Sequence, residues 1–212
     1  MGDEIELAAK AIGESVGVLA EQSGALGPVK ELSDWIKSFI HFRRQPSLAK
    51  QMMRAADKVR ATGIPPHAVD DKHLRAILEA ASLEDEPTMQ ERWENLLANA
   101  LTADEDAVPP VSFAAILAEL EPIEARAMDF LLSDMPAPPR RLPASVMRDE
   151  TGVAEAGLDN LERLGLIRFL GTTAPSWADM VDLSSTMREL VVPTALGVEL
   201  VIACRPPQVP SP

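Results

Sequence analysis

Between residues 71 and 102 the apolar side chains follow a helical repeat twice. In "DKHLRAILEAA" Leu74, Ile77, Leu78 and Ala81 recur at steps of three and four; in "PTMQERWENLLANALT" Met89, Trp93, Leu96, Leu97 and Ala100 do the same. A period of 3.6 residues gathers each set on one helix face, and such a face needs a buried partner. The link "SLEDEP" is short and acidic. The pattern predicts an antiparallel helical hairpin over 71–82 and 87–102, with negative charge at the second helix's N-terminus, where the helix dipole favours it.

The rest of the chain supports a mainly helical fold. Aromatics are 4% and Tyr is absent, while 46% of residues are hydrophobic. Leu, Ala, Val, Ile and Met therefore do the packing, a bias that suits helices better than sandwiches of strands. Helical spacing predicts segments at 3–26, 29–45 and 46–62, the last opening at Pro46–Ser47 and closing at Gly63. "SFAAILAEL" (112–120) reads as a short helix with Ser112 as its N-cap. From 121 the grammar changes. A helix with Pro122 in its first turn is followed by the proline-rich connector "PAPPRRLP" and a short helix ending at Gly152. Next come a helix stopped by Gly165, a short strand, an irregular stretch at 171–188, the strand "ELVVPT" and a last helix capped by Thr194. Helix–helix–helix–strand–loop–strand is the order of a winged helix-turn-helix. The expected fold is thus mainly α: N-terminal amphipathic helices (1–45), a helical core with the hairpin (46–120), a small winged-helix-like α+β domain (121–205) and a short tail (206–212).

Composition narrows the chemistry. The formal charge is −13, and an acidic chain repels phosphate backbones unless its charge is segregated. Cys204 is the sole cysteine, which excludes an intrachain disulfide and a multi-cysteine zinc site. The acidic start "MGDEIE" lacks the basic region of a secretory leader, and no apolar run reaches the roughly 20 residues that span a bilayer. The expected location is cytoplasmic, or peripheral at the inner membrane face. His67 and His73 flank Asp70 and Asp71 without a metal-ligand spacing, so an aspartate N-cap explains the group better. No phosphate loop or nucleophile elbow appears. The expectation is a protein that is not an enzyme, with no cofactor, no metal and no small-molecule substrate.

"QERWENLLANAL" (90–101) is the densest stretch, and it reads as a seam in the core. Trp93, Leu96 and Leu97 fall on the buried stripe, with Glu91, Glu94 and Asn95 mostly off it. Asn99 sits at the stripe's edge, where an amide usually bonds the backbone of a neighbouring loop. The stronger functional lead is a basic island. Residues 37–60 hold seven cations against Asp57 alone, a net of +6, which leaves −19 for the remainder. Trp35, Phe39 and Phe42 adjoin Arg43, Arg44, Lys50 and Arg54. Rings beside cations suit an anionic membrane surface or a partner. The plainer reading, and the preferred one, has the rings in the core and the cations on the chain's own acidic helices. A protein partner or a homo-oligomer is the expected mode of action. DNA is disfavoured: the recognition helix of the winged part (about 153–164) carries Glu155, Asp159 and Glu162 against Arg163, with only Arg140, Arg141 and Arg148 as a nearby basic edge.

Two further runs carry a family likeness. Trp93, Leu96, Leu97, Ala98, Asn99 and Ala100 form a W-x-x-L-L-A-N-A helix. Ser112, Phe113, Ile116, Leu117, Leu120, Pro122 and Ala125 follow after a loop. This order resembles the abortive infection alpha (Abi-alpha) family of bacteria over about 45–132, and more loosely beyond. Where that family usually has histidine-proline before the serine, this chain has "PPV". The resemblance implies a part in defence against phage, in which the infected cell dies or stops growing. It brings no catalytic residues with it.

Overall fold

A computed structural model describes residues 46–64, 66, 69–103, 107–133, 141–170 and 190–208. The helices expected at 3–26 and 29–45 lie outside the described residues, together with Trp35, Phe39, Phe42, Arg43 and Arg44. So do His67, Arg140 and the stretch 171–188. The described residues form eight helices and three short strands. They belong to two compact units, Met1–Ala118 with Ala203–Pro212, and Glu119–Ile202. Residues 203–208 thus group with the first unit rather than with the winged part.

The first unit contains α1 (Pro46–Thr62), α2 (Asp71–Ala81), α3 (Pro87–Thr102) and α4 (Ser112–Ala118). Both stripes of the hairpin are buried as the periodicity requires: Leu74, Ile77, Leu78 and Ala81 on α2, and Met89, Trp93, Leu96, Leu97 and Ala100 on α3. α1 adds Leu48, Met52, Ala55 and Val59, and α4 adds Phe113, Ala114 and Leu117. α3 packs against both α1 and α2. It is therefore buried on more than one face, and this corrects the sequence expectation for Glu94 and Asn95. Both are buried, at 4% and 3% exposure.

The helix ends are closed by side chains. Asp70 is the N-cap of α2, its carboxylate accepting from the backbone N–H groups of Lys72 (3.1 Å) and His73 (3.3 Å). Glu86 does the same for α3, accepting from the N–H of Met89 at 2.8 Å, with Pro87 as the first helical residue. Ser112 is not the cap expected of it. It is already inside α4, and the N–H groups of Phe113 and Ala114 go to the carbonyls of Pro110 and Val111. His73 is buried in the first turn of α2. Burial lowers its pKa, and the nearby Asp70 carboxylate offsets part of that effect.

The second unit runs α5 (Pro122–Leu131), β1 (Leu142–Pro143), α6 (Ala144–Thr151), α7 (Glu155–Arg163), β2 (Ile167–Leu170), β3 (Leu190–Pro193) and α8 (Ala195–Ala203), the last reaching the boundary of the unit. The antiparallel sheet has the order β1-β3-β2, with Leu142 opposite Val191 and Phe169 opposite the same residue on the other side. This is the arrangement of a winged helix-turn-helix. β1 falls inside the proline-rich connector, where the sequence pattern predicts no strand. Two residues are too few to show a period, and Pro143 is tolerated because β1 is an edge strand.

Glycine makes the turns of this unit. α6 ends on Gly152 and α7 runs into Gly165, with φ of 76° and 73°, a region that side chains with a Cβ seldom enter. Thr194 then ties the strand end to α8: its hydroxyl donates to the Gly165 carbonyl (2.6 Å) and accepts from the N–H of Gly197 (3.0 Å). Gly197 lies so close to the backbone just before β2 that an added Cβ would meet the Leu166 carbonyl oxygen at 2.2 Å. The core here is Leu131, Met147, Val153, Leu158, Leu161, Leu166 and Val191. Buried Glu124 cross-links its helices. Its carboxylate accepts from the N–H of Glu121 (3.0 Å) and from the Asn160 amide (2.9 Å).

Two outcomes follow from this packing. Gly197→Ala forces α8 away from the Leu166 backbone, and chemical denaturation should show a loss of about 1–3 kcal/mol. The lowered pKa of His73 means that the unfolded chain binds its proton first as pH falls. Stability is then full above the unfolded value near 6.5 and declines as pH drops from there toward the folded value. His73→Asn should flatten that decline in denaturation curves taken between pH 7.5 and 5, and an unchanged slope would remove His73 as its source.

Candidate interaction site

The polar groups of the first unit converge where α1 crosses α3. Arg54 and Lys58 lie four residues apart on α1, hence on one face. Both reach Glu94 of α3: Arg54 Nε is 2.6 Å from Oε1, and Lys58 Nζ is 3.1 Å from Oε2. The Glu94 side chain is only 3% exposed, against 50% for Arg54 and 23% for Lys58. A carboxylate this deep calls for such partners, because burying a lone charge is strongly unfavourable.

The network extends to both sides. Arg54 also donates to Gln90 Oε1 (3.3 Å), and the Gln90 amide donates to the Ser47 hydroxyl (3.1 Å) and to the Glu84 carbonyl (2.9 Å). On the other side Lys58 donates to Asn95 Oδ1 at 2.7 Å. Asn95 Nδ2 donates to the Cys204 carbonyl at 2.9 Å, and Asn99 Nδ2 donates to the carbonyls of Ala203 and Arg205, both at 2.8 Å. These carbonyls sit at the C-terminal end of α8, where the last turn of a helix leaves acceptors unused. Two side chains of α3 donate to them.

The residues singled out in the sequence divide accordingly. Trp93, Leu96 and Leu97 are core packing. Trp93 and the buried Gln51 line a cavity of about 10 Å³ in the first unit, and Trp93 Nε1 and Gln51 Oε1 make no hydrogen bond. Asn99 binds backbone carbonyls. Arg54 is engaged with the chain's own α3, while Lys50 is exposed on α1. Glu94, Asn95 and Lys58 were missed as a group. Their signal was the i, i+4 pair of cations on α1 together with an adjacent acid and amide on α3. Reading one helix at a time does not join the two.

In the second unit α7 turns Ala156, Asp159, Glu162 and Arg163 outward. Its arginine is held: Arg163 pairs with Glu119 (2.5 Å) and donates from Nε to Asn160 Oδ1 (3.0 Å). Arg148 of α6 pairs with Glu155 of α7. Arg141 is exposed. Among the described residues no helix is long and apolar enough to cross a membrane, and no three His, Cys, Asp or Glu side chains are grouped to hold a metal ion.

The abortive infection alpha family model matches residues 44–204, from just before α1 to Cys204. The chain belongs to that family. Membership implies a role in phage defence, and the family's span takes in both the basic helix α1 and the Ala203 and Cys204 carbonyls that α3 side chains bind. No curated protein and no solved structure matches the chain.

The cost of the buried carboxylate is measurable. Arg54→Met with Lys58→Met leaves Glu94 without its cations, and urea denaturation should show a loss on the order of 3 kcal/mol. Adding Glu94→Leu should return much of it. If the triple variant is no more stable than the double, the loss comes from something other than the stranded charge.

Proposed function

We propose that the chain is a non-enzymatic component of antiphage defence that acts by binding protein, either a partner or a second copy of itself. The observation that carries this reading is the outward face of α7. In a winged helix this is the helix that enters the major groove. Here it presents Asp159 and Glu162, while Arg163 and Arg148 are tied to Glu119 and Glu155. A phosphate backbone would meet net negative charge, and freeing Arg163 or Arg148 would expose a carboxylate beside it. A protein surface that is neutral or basic meets no such penalty.

The basic island at 37–60 is the part that would touch an anionic membrane if one is involved. Among its described cations, Arg54 and Lys58 serve Glu94, and Arg60 pairs with Asp57 at 2.8 Å. These pairings favour a protein-binding mode over a lipid-binding one.

The test joins phage protection to binding. Cells carrying the intact gene should survive challenge better than cells without it. Asp159→Lys with Glu162→Lys should abolish protection while the circular dichroism spectrum stays unchanged. The intact chain should show no duplex DNA binding by fluorescence anisotropy at low salt and no flotation with anionic vesicles. Salt-dependent duplex binding that disappears on Arg140→Glu with Arg141→Glu would replace this reading with a DNA-binding one, and flotation with anionic but not zwitterionic vesicles would replace it with a membrane one.

A further inference from the structure

Exposed charges of the second unit form two neighbouring patches of opposite sign. The negative one is the outer face of α7, where Asp159 and Glu162 are exposed together with Ala156. The positive one lies on the sheet. Side chains alternate between the two faces of a strand, and residues opposite each other across a ladder share a face. Leu142, Val191 and Phe169 form one row, and Val191, at 0% exposure, marks that face as the core side. On the other face Arg168 stands opposite Val192, and the register of β1, continued back by one residue, sets Arg141 on the far side of Val192. Pro143, Leu190 and Leu170 form the next row of the same face; the proline is exposed and the leucines are half-buried. Arg141 and Arg168 are both exposed, and among the described residues neither has a carboxylate partner. This sets them apart from Arg148 and Arg163, which are paired with Glu155 and Glu119.

The two patches adjoin. α7 leads through Gly165 into β2, and the Glu162 carboxylate accepts from the N–H of Phe169, the residue next to Arg168, at 3.5 Å. Acids beside cations on one surface are self-complementary across a two-fold axis that passes between them: the acids of each copy meet the arginines of the other, and the contact is made twice. We propose that the second unit is a self-association surface, in which α7 of one copy docks on the outer face of the winged sheet of another, with Asp159 and Glu162 against Arg141 and Arg168. The row of Pro143, Leu190 and Leu170 supplies the apolar part of the contact. The proposal rests on the protein-binding reading above and names the partner as a second copy of this chain. Charge selects that occupant. A DNA backbone reaching these arginines in the usual winged-helix pose would also meet Asp159 and Glu162, whereas a second copy matches both signs at once. At a formal charge of −13 two whole copies repel each other, so association depends on local pairing of this kind.

A charge exchange tests this, read by sedimentation equilibrium of the purified full-length protein over a wide concentration range. The unaltered chain should be in monomer–dimer equilibrium. Asp159→Lys with Glu162→Lys, and separately Arg141→Glu with Arg168→Glu, should each raise the dissociation constant about tenfold or more, because like charges then face each other at both contacts. An equimolar mixture of the two variants should regain dimer, since each reversed patch finds its opposite on the other chain. A single chain carrying all four substitutions should dimerise by itself. Substitutions at exposed positions leave the fold intact, and circular dichroism checks this. The proposal is overturned if the unaltered chain is monomeric throughout, if both double variants dimerise as it does, or if the mixture of folded variants stays monomeric. Duplex DNA binding by the unaltered chain that is lost with Arg141→Glu and Arg168→Glu overturns it too, by giving these arginines to phosphate. Self-association is read on purified protein and phage protection in cells, so the two readings fail separately. A monomeric chain that still loses protection with Asp159→Lys and Glu162→Lys removes the second copy as partner and leaves binding to a different protein standing.

Discussion

The first unit is organised around one buried carboxylate. Glu94 lies where α1 and α3 pack, and two cations must reach it for the contact to be tolerable. That requirement fixes the register of α1 on α3 more sharply than apolar packing does. Leu48, Met52, Ala55 and Val59 would tolerate a small slide along the seam, since hydrophobic contacts are not directional. Arg54 and Lys58 would not, because a shift of one turn separates both from the acid. A buried ion pair of this kind contributes little net stability compared with an apolar replacement. Its effect is on which packing is chosen. The same register brings Lys58 to Asn95, so the choice of packing also decides how the end of α8 is closed.

The second unit solves a different problem, closing a very small sheet. Its strands are two to four residues long, too short to hold together through ladder hydrogen bonds alone. The unit relies on close approach: Gly197 brings α8 against the backbone of Leu166, and Thr194 stitches both sides of the turn. Glu124 does for α5 and α7 what Glu94 does for α1 and α3, with an amide and a backbone N–H in place of cations. Neutral donors suffice there because a carboxylate that accepts several hydrogen bonds is already well stabilised.

Much of the fold was readable in the sequence, for physical reasons that particular elements make plain. α2, α3, α6, α7 and α8 announce themselves by period and by punctuation. Asp70, Pro87, Gly152, Gly165 and Thr194 stand where caps and turns need those residue types. What was not readable has two causes. β1 is too short to carry a pattern, and only its pairing with β3 makes it a strand. The Glu94 network was hidden because a hydrophobic stripe assumes a single buried face. α3 has more than one, and a polar residue on its second face looks solvent-exposed until the partner helix is in place. Asn99 was legible as an amide seeking backbone. That its acceptors lie more than a hundred residues away was not, since such pairings leave no trace in local spacing.

The charge pattern takes on a different meaning once these contacts are known. A chain with 20 cations and 33 acids has few positive groups to spare, and a local excess of +6 suggests a surface that attracts anions. In the folded protein, cations of that island are paired with the chain's own acids: Arg54 and Lys58 with buried Glu94, and Arg60 with exposed Asp57. In the winged unit Arg148 and Arg163 are bound to Glu155 and Glu119 in the same way. An anionic ligand would have to compete with carboxylates already at contact distance, and at Glu94 it would also leave an acid buried without its counter-charge. Surface pairs exchange readily and cost little to break, so Arg60, Arg148 and Arg163 set only a modest barrier. The barrier is high at Glu94, where burial makes the internal pairing hard to give up. The basic helix is therefore structural at its centre. Any recognition by it falls to exposed residues such as Lys50, and a partner reading that residue leaves the Glu94 contact intact.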